Sequence, residues 1–183
     1  RSNIDTDVII RIERLVGNSI RGTLGKWAFG ALRYLPDGSE NPDFILNREP
    51  YRGAEILITG PNFGCGSSRE GAVWSLQEMG VRAVIGSSFG DIFFANCFQN
   101  GILPIVVDKE IVDSLAADVQ QTQGAGRISI DLEQQTIQSP SGQRYDFAID
   151  PRRRAGLLEG LDEVALTLQR DDEIRAFQAT DRA

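Results

Sequence analysis

The chain has 183 residues, with the apolar and charged fractions of an ordinary folded protein, which suits one domain or a compact core with an appended lobe. Its net charge of −7 argues against general nucleic-acid binding, and no apolar run approaches the roughly 18–20 residues that span a membrane. Two cysteines and no histidine exclude a disulfide framework, a Ser-His-Asp triad and a Cys-His pair, and argue against a zinc site or a self-contained iron–sulfur cluster. Free thiols read most plainly as a reduced, cytoplasmic setting. The chain starts at Arg1 without a methionine, so a removed presequence stays open.

Asn3-Ile-Asp-Thr-Asp7 places two carboxylates before Ile9-Ile10, as a solvated turn or helix cap would. Residues 11–47 carry little periodicity and five glycines, and such a segment reads as functional or ordered by a partner. Residues 54–59 predict a buried strand, followed by the turn Gly60-Pro-Asn-Phe-Gly-Cys-Gly-Ser-Ser-Arg-Glu70. A helix is expected from about Ser68 to Met79, with Ala72, Leu76 and Met79 on one face and Gly80 as its stop. A strand at 82–86, a helix at 89–100 closed by Gly101, and a strand at 102–107 follow. Asp108 is placed to cap a helix that carries Ile111, Leu115 and Val119 on one face. Residues 128–149 alternate like a β-hairpin turning at Ser139–Gly142. Strands alternating with helices predict an α/β fold with a parallel-sheet core. Ligands of such sheets bind beyond the carboxyl ends of strands, where the 60–70 turn lies.

That turn gathers glycines, Ser67, Ser68 and Arg69 beside a helix N-terminus, an arrangement suited to a carboxylate or phosphate. Its simpler reading is a capping box, with Ser67 accepting from the Glu70 amide and Glu70 reaching back. It lacks the third glycine of a dinucleotide fingerprint, the Gly-Lys-Ser/Thr of a P-loop and the G-x-S-x-G elbow. Cys97 reads as core; Cys65 stands near a helix N-terminus, which can lower a thiol pKa, but no base accompanies it. Arg152-Arg-Arg154 reads as a solvated face or a surface for a carboxylate-rich partner.

Five ordered stretches together carry a resemblance: Asn3-Ile-Asp-Thr-Asp-Val-Ile-Ile10, Asn41-Pro-Asp-Phe-Ile-Leu-Asn47, Asn62-Phe-Gly-Cys-Gly-Ser-Ser-Arg-Glu70, Ser88-Phe-Gly-Asp-Ile-Phe93 and Asn100-Gly-Ile-Leu-Pro-Ile105. They resemble the small subunits of 3-isopropylmalate dehydratase (isopropylmalate isomerase), in the aconitase superfamily. The resemblance extends to Tyr145-Asp-Phe and Gly160-Leu-Asp and so spans nearly the whole chain.

It implies a swivelling β/β/α domain like the aconitase C-terminal domain. Residues 1–183 would form one such domain, with a core at about 1–120 and a hairpin and helices at about 121–183. It implies a hydro-lyase of leucine biosynthesis acting on a malate-type diacid. The partner would be a large subunit carrying a 4Fe–4S cluster, in a heterodimer or heterotetramer, with no cofactor on this chain. By the same resemblance Ser67 is the base, Ser68 and Arg69 hold substrate carboxylate, Asp7 is an active-site aspartate, and Arg21 belongs to a substrate loop within 15–25. The sequence departs from the family at Gly71, where histidine is usual, at Arg11, where proline is usual, and at Ala31-Leu-Arg-Tyr34. These departures keep open a paralogue acting on methyl- or dimethylmalate, and a non-catalytic diacid-binding module.

Overall fold

A computed structural model of the chain describes residues 1–16 and 21–181. The elements run α1 (Thr6–Ile9), α2 (Gly30–Arg33), β1 (Ile56–Ile58), α3 (Glu70–Glu78), β2 (Ala83–Gly86), α4 (Asp91–Gln99), β3 (Leu103–Val106), α5 (Lys109–Gln121), β4 (Ser129–Asp131), β5 (Thr136–Gln138), β6 (Arg144–Asp146), α6 (Pro151–Glu159), α7 (Glu163–Leu168) and α8 (Asp171–Asp181), with single 3-10 turns within the first fifty residues. No helix among the described residues is long and apolar enough to cross a membrane.

The three expected strands form a parallel sheet in the order β1-β2-β3, with Leu57 opposite Val84 and Val84 opposite Pro104. Successive side chains of a strand point to opposite faces, and the packing follows that period. Leu57 and Val84 join a cluster with Ala72, Val73 and Leu76 of α3 and Phe93 and Cys97 of α4. Ala83, Ile85, Leu103 and Ile105 join Val112 and Leu115 of α5 on the other face, together with Ile137 and Phe147. The sheet is therefore covered on both sides, as its nearly unbroken apolar strands require.

Pro104 lies inside β3 without breaking it. Leu103 donates to Arg82 O and Val107 to Gly86 O, so residue 104 directs its backbone nitrogen to the free edge, where no ladder bond is lost. The two predicted helix stops occur as expected. Gly80 (φ 104°) and Gly101 (φ 73°) take the left-handed conformation, and the next amides return to Leu76 O and Cys97 O. Asp108 occupies the N-cap of α5, but its side chain makes no capping hydrogen bond.

The C-terminal region differs from the single hairpin expected. It is a three-stranded antiparallel sheet in the order β4-β5-β6, with an additional turn at 132–135. That turn contains no glycine or proline. It is made by Gln135 in the left-handed region and by the Asp131 carboxylate, which accepts from Gln134 N–H at 2.7 Å. The run at 152–154 is also not a plain solvated face. Arg153 stacks over Phe94 and Phe98, and Arg154 donates to the carbonyls of Leu132 and Glu133.

Candidate active site

The turn after β1 is held as an extra strand between two neighbours. On one side Gly64 N–H donates to Ile4 O and Thr6 N–H to Cys65 O; on the other, Phe63 N–H donates to Ser88 O and Gly90 N–H to Phe63 O. Asn62 N–H also donates to Ser88 Oγ at 2.8 Å. This close approach explains the glycines. A Cβ at Gly64 (φ 72°) would fall 2.2 Å from Cγ of Phe93, and one at Gly90 would fall 2.5 Å from Gly64 O. Any larger residue at either place would push the turn off its supports.

The chain emerges from this clamp at Ser67, whose carbonyl accepts from the buried Thr6 hydroxyl at 2.8 Å. The capping box does not form. Helix α3 starts at Glu70, two residues later than expected, with Arg69 at the N-cap and no side-chain capping bond. The Glu70 carboxylate accepts instead from Asn100 Nδ2 at 3.0 Å. The Ser67 and Ser68 side chains are exposed, and among the described residues their hydroxyls have no hydrogen-bond partner. Two hydroxyls thus stand beside the unsatisfied amides of a helix N-terminus, where an anion is favoured.

Arg69 and Asp7, far apart in sequence, meet here. Arg69 Nη1 donates to Asp7 Oδ1; the arginine side chain is 15% exposed and the aspartate 54%. Asp5, the other carboxylate of that motif, is a helix cap: its Oδ1 accepts from Val8 N–H at 2.8 Å. Asp7, Ser67, Ser68 and Arg69 therefore share one surface. The groove of about 960 Å³ beside the free edge of β1, lined by Phe44, Tyr51, Ile56 and Val119 among others, includes none of them.

Arg21 is not brought into contact with these four residues. Its Nη2 donates to Asn100 Oδ1 at 2.9 Å, and its guanidinium lies 4.5 Å from the Trp74 ring centroid. The loop that follows is fastened to the end of α3. The Glu78 carboxylate accepts from the amides of Gly22, Leu24 and Gly25 at 2.7, 2.5 and 3.1 Å. Gly25 lies so close that a Cβ would fall 2.6 Å from the Glu78 carbonyl carbon. Residues 17–20 of the 15–25 stretch lie outside the described residues.

Sequence reasoning missed the roles of Thr6, Glu78 and Asn100: Asn100 enters it only as the last residue of a helix closed by Gly101, and Glu78 only as a position within the 68–79 helix. Gly71 has a local packing partner: a Cβ there would meet Leu15 Cδ2 at 2.4 Å, so Leu15 fills the space beside α3. That contact offsets part of the roughly 1 kcal/mol that glycine costs in a helix. Cys97 is buried, and desolvation pushes its thiol pKa well up, away from reactivity. Among the described residues no three His, Cys, Asp or Glu side chains converge as metal ligands.

Fold and turn together define an α/β domain that presents a turn of two serines and an arginine at the carboxyl end of a parallel sheet. Residues 1–110 match the family model of the aconitase C-terminal domain, and residues 113–151 match one described as LeuD_N. The 3-isopropylmalate dehydratase small subunit of Gluconacetobacter diazotrophicus is 53% identical over 98% of this chain and 86% of its own length. That of Gluconobacter oxydans is 54% identical over 96% and 84%. A crystal structure described as 3-isopropylmalate dehydratase (leuD) from Methanocaldococcus jannaschii shares the fold, with a TM-score of 0.65 at 24% identity, over 97% of this chain and 93% of that one. The chain belongs to the aconitase C-terminal domain family and, within it, to the 3-isopropylmalate dehydratase small subunits.

Proposed function

We propose that this chain is the small subunit of a two-subunit hydro-lyase that interconverts 2-isopropylmalate and 3-isopropylmalate by dehydration and rehydration. The observation that carries this reading is the pair of exposed hydroxyls of Ser67 and Ser68, without a hydrogen-bond partner among the described residues, beside Arg69 at the start of α3. Ser67 takes the proton from the carbon next to a substrate carboxylate. The electron pair of that carbon–hydrogen bond becomes the alkene, and the hydroxyl on the adjacent carbon leaves as water, its second proton supplied by an acid of the large subunit. Rehydration with the opposite regiochemistry completes the isomerisation.

A free serine is far too weak a base for this step. The amides at the start of α3 and the Arg69 guanidinium favour the alkoxide, and more strongly once water is excluded. Ser68 and Arg69 orient the carboxylate, and Asp7 aims Arg69 through their ion pair. Arg21 supplies a further contact to substrate from the loop fastened to Glu78. Asp7, Ser67 and Ser68 are exposed around the largely covered Arg69 side chain, so closure comes from a large subunit, against which this domain swivels as one unit. That subunit would also hold the 4Fe–4S cluster, which would act as a Lewis acid toward substrate oxygens.

Steady-state kinetics of the reconstituted complex with isopropyl-, methyl- and dimethylmalate test the substrate. The highest kcat/KM is expected with isopropylmalate. A clear preference for methyl- or dimethylmalate would assign a paralogous reaction, and diacid binding without turnover would identify a non-catalytic module.

A further inference from the structure

Asn100, at the end of α4, is 9% exposed, and its side-chain amide is fully used. Oδ1 accepts from Arg21 Nη2 at 2.9 Å and from Trp74 Nε1 at 3.0 Å, while Nδ2 donates to Glu70 Oε1 at 3.0 Å and to Asn96 O at 2.9 Å. A primary amide offers one oxygen with two lone pairs and two N–H groups, so nothing is left over. Its orientation is also determined. Turned over, the nitrogen would face two donors and the oxygen would face a carboxylate and a carbonyl. Gln77 Nε2 further ties the Asn100 carbonyl to α3 at 2.8 Å.

We propose that Asn100 is a positioning residue for substrate binding: it sets the direction of the Arg21 guanidinium relative to the Ser67–Arg69 turn. One amide grips Arg21 with its oxygen and, with its nitrogen, Glu70, the residue directly after Arg69. The grip is separate from the docking of the loop, whose backbone is held at Gly22, Leu24 and Gly25 by Glu78. Without Asn100 the loop stays attached and, among the described residues, the guanidinium keeps its stacking on Trp74. The inference rests on the reading of Arg21 as a ligand of substrate.

The test is the steady-state kinetics of the reconstituted complex with isopropylmalate. Asn100→Ala is expected to raise KM about tenfold or more, the loss of one charge-assisted hydrogen bond, while kcat changes far less. In an Arg21→Ala background it should raise KM no further, because the residue it acts through is gone. Asn100→Asp preserves the volume and serves where the alanine variant does not fold. It turns a carboxylate toward Glu70, so KM should rise and Glu70→Gln should bring it back. A tenfold rise for Arg21→Ala with none for Asn100→Ala would overturn the inference alone. Independent, multiplying effects of the two changes, or a failure of Glu70→Gln to restore KM, would also overturn it. An unchanged KM for Arg21→Ala would overturn the reading of Arg21 and the inference with it.

Discussion

Ser67→Ala in the assembled enzyme is expected to lower kcat by about 10²–10⁴-fold, the contribution of a positioned general base. The stability of the chain and its association with the large subunit should hold. Only the hydroxyl is lost, and among the described residues that hydroxyl has no hydrogen-bond partner. What Ser67 contributes to the fold is its carbonyl, which accepts from Thr6 and is retained in alanine. Surface changes of this kind stay within about 0.5 kcal/mol. Single-turnover kinetics with a denaturation curve on the same preparation check both halves. A fall of less than tenfold would remove Ser67 as the base.

Arg69→Gln is the second large effect, with kcat/KM expected to fall by about 10²–10³-fold, as when a site loses one charge-stabilising donor. KM should rise because the carboxylate loses its guanidinium, and kcat should fall because the Ser67 alkoxide loses a neighbouring cation. Stability should change little. A cation at a helix N-terminus opposes the helix dipole, and its pairing with the half-exposed Asp7 offsets only part of that. An activity gain at slight cost to the fold is the usual mark of a functional position. Arg69→Lys should not restore full activity, since an ammonium cannot present the planar fork to a carboxylate. If Arg69→Gln unfolds the chain or leaves kcat/KM within a few-fold, the arginine is structural.

The sheet was legible because its signals are local. Apolar runs at 56–58, 83–86 and 103–106 stand out, and the latter two follow glycines at 80 and 101 whose left-handed conformation ends the preceding helices. The β4–β5 turn was not legible, because Gln135 and Asp131 make it without glycine or proline. The capping box failed for a spatial reason. Ser67 and Glu70 have the right spacing, but Asn100, thirty residues away, takes the Glu70 carboxylate, and Thr6 takes the Ser67 carbonyl. The pairing of Asp7 with Arg69 and the hold of Glu78 on the 22–25 loop are likewise contacts across the fold that no one-dimensional spacing announces. Local pattern located the site; its supports became visible only in three dimensions.

The central claim is that this chain holds one half of an active site. Its most direct test is dehydratase activity on 2-isopropylmalate for the purified chain, the purified cluster-bearing large subunit, and the two mixed. The account predicts no turnover from either chain alone and turnover on mixing that saturates with added small subunit. Robust turnover by this chain without its partner, or equal turnover by the large subunit with and without it, would contradict the account.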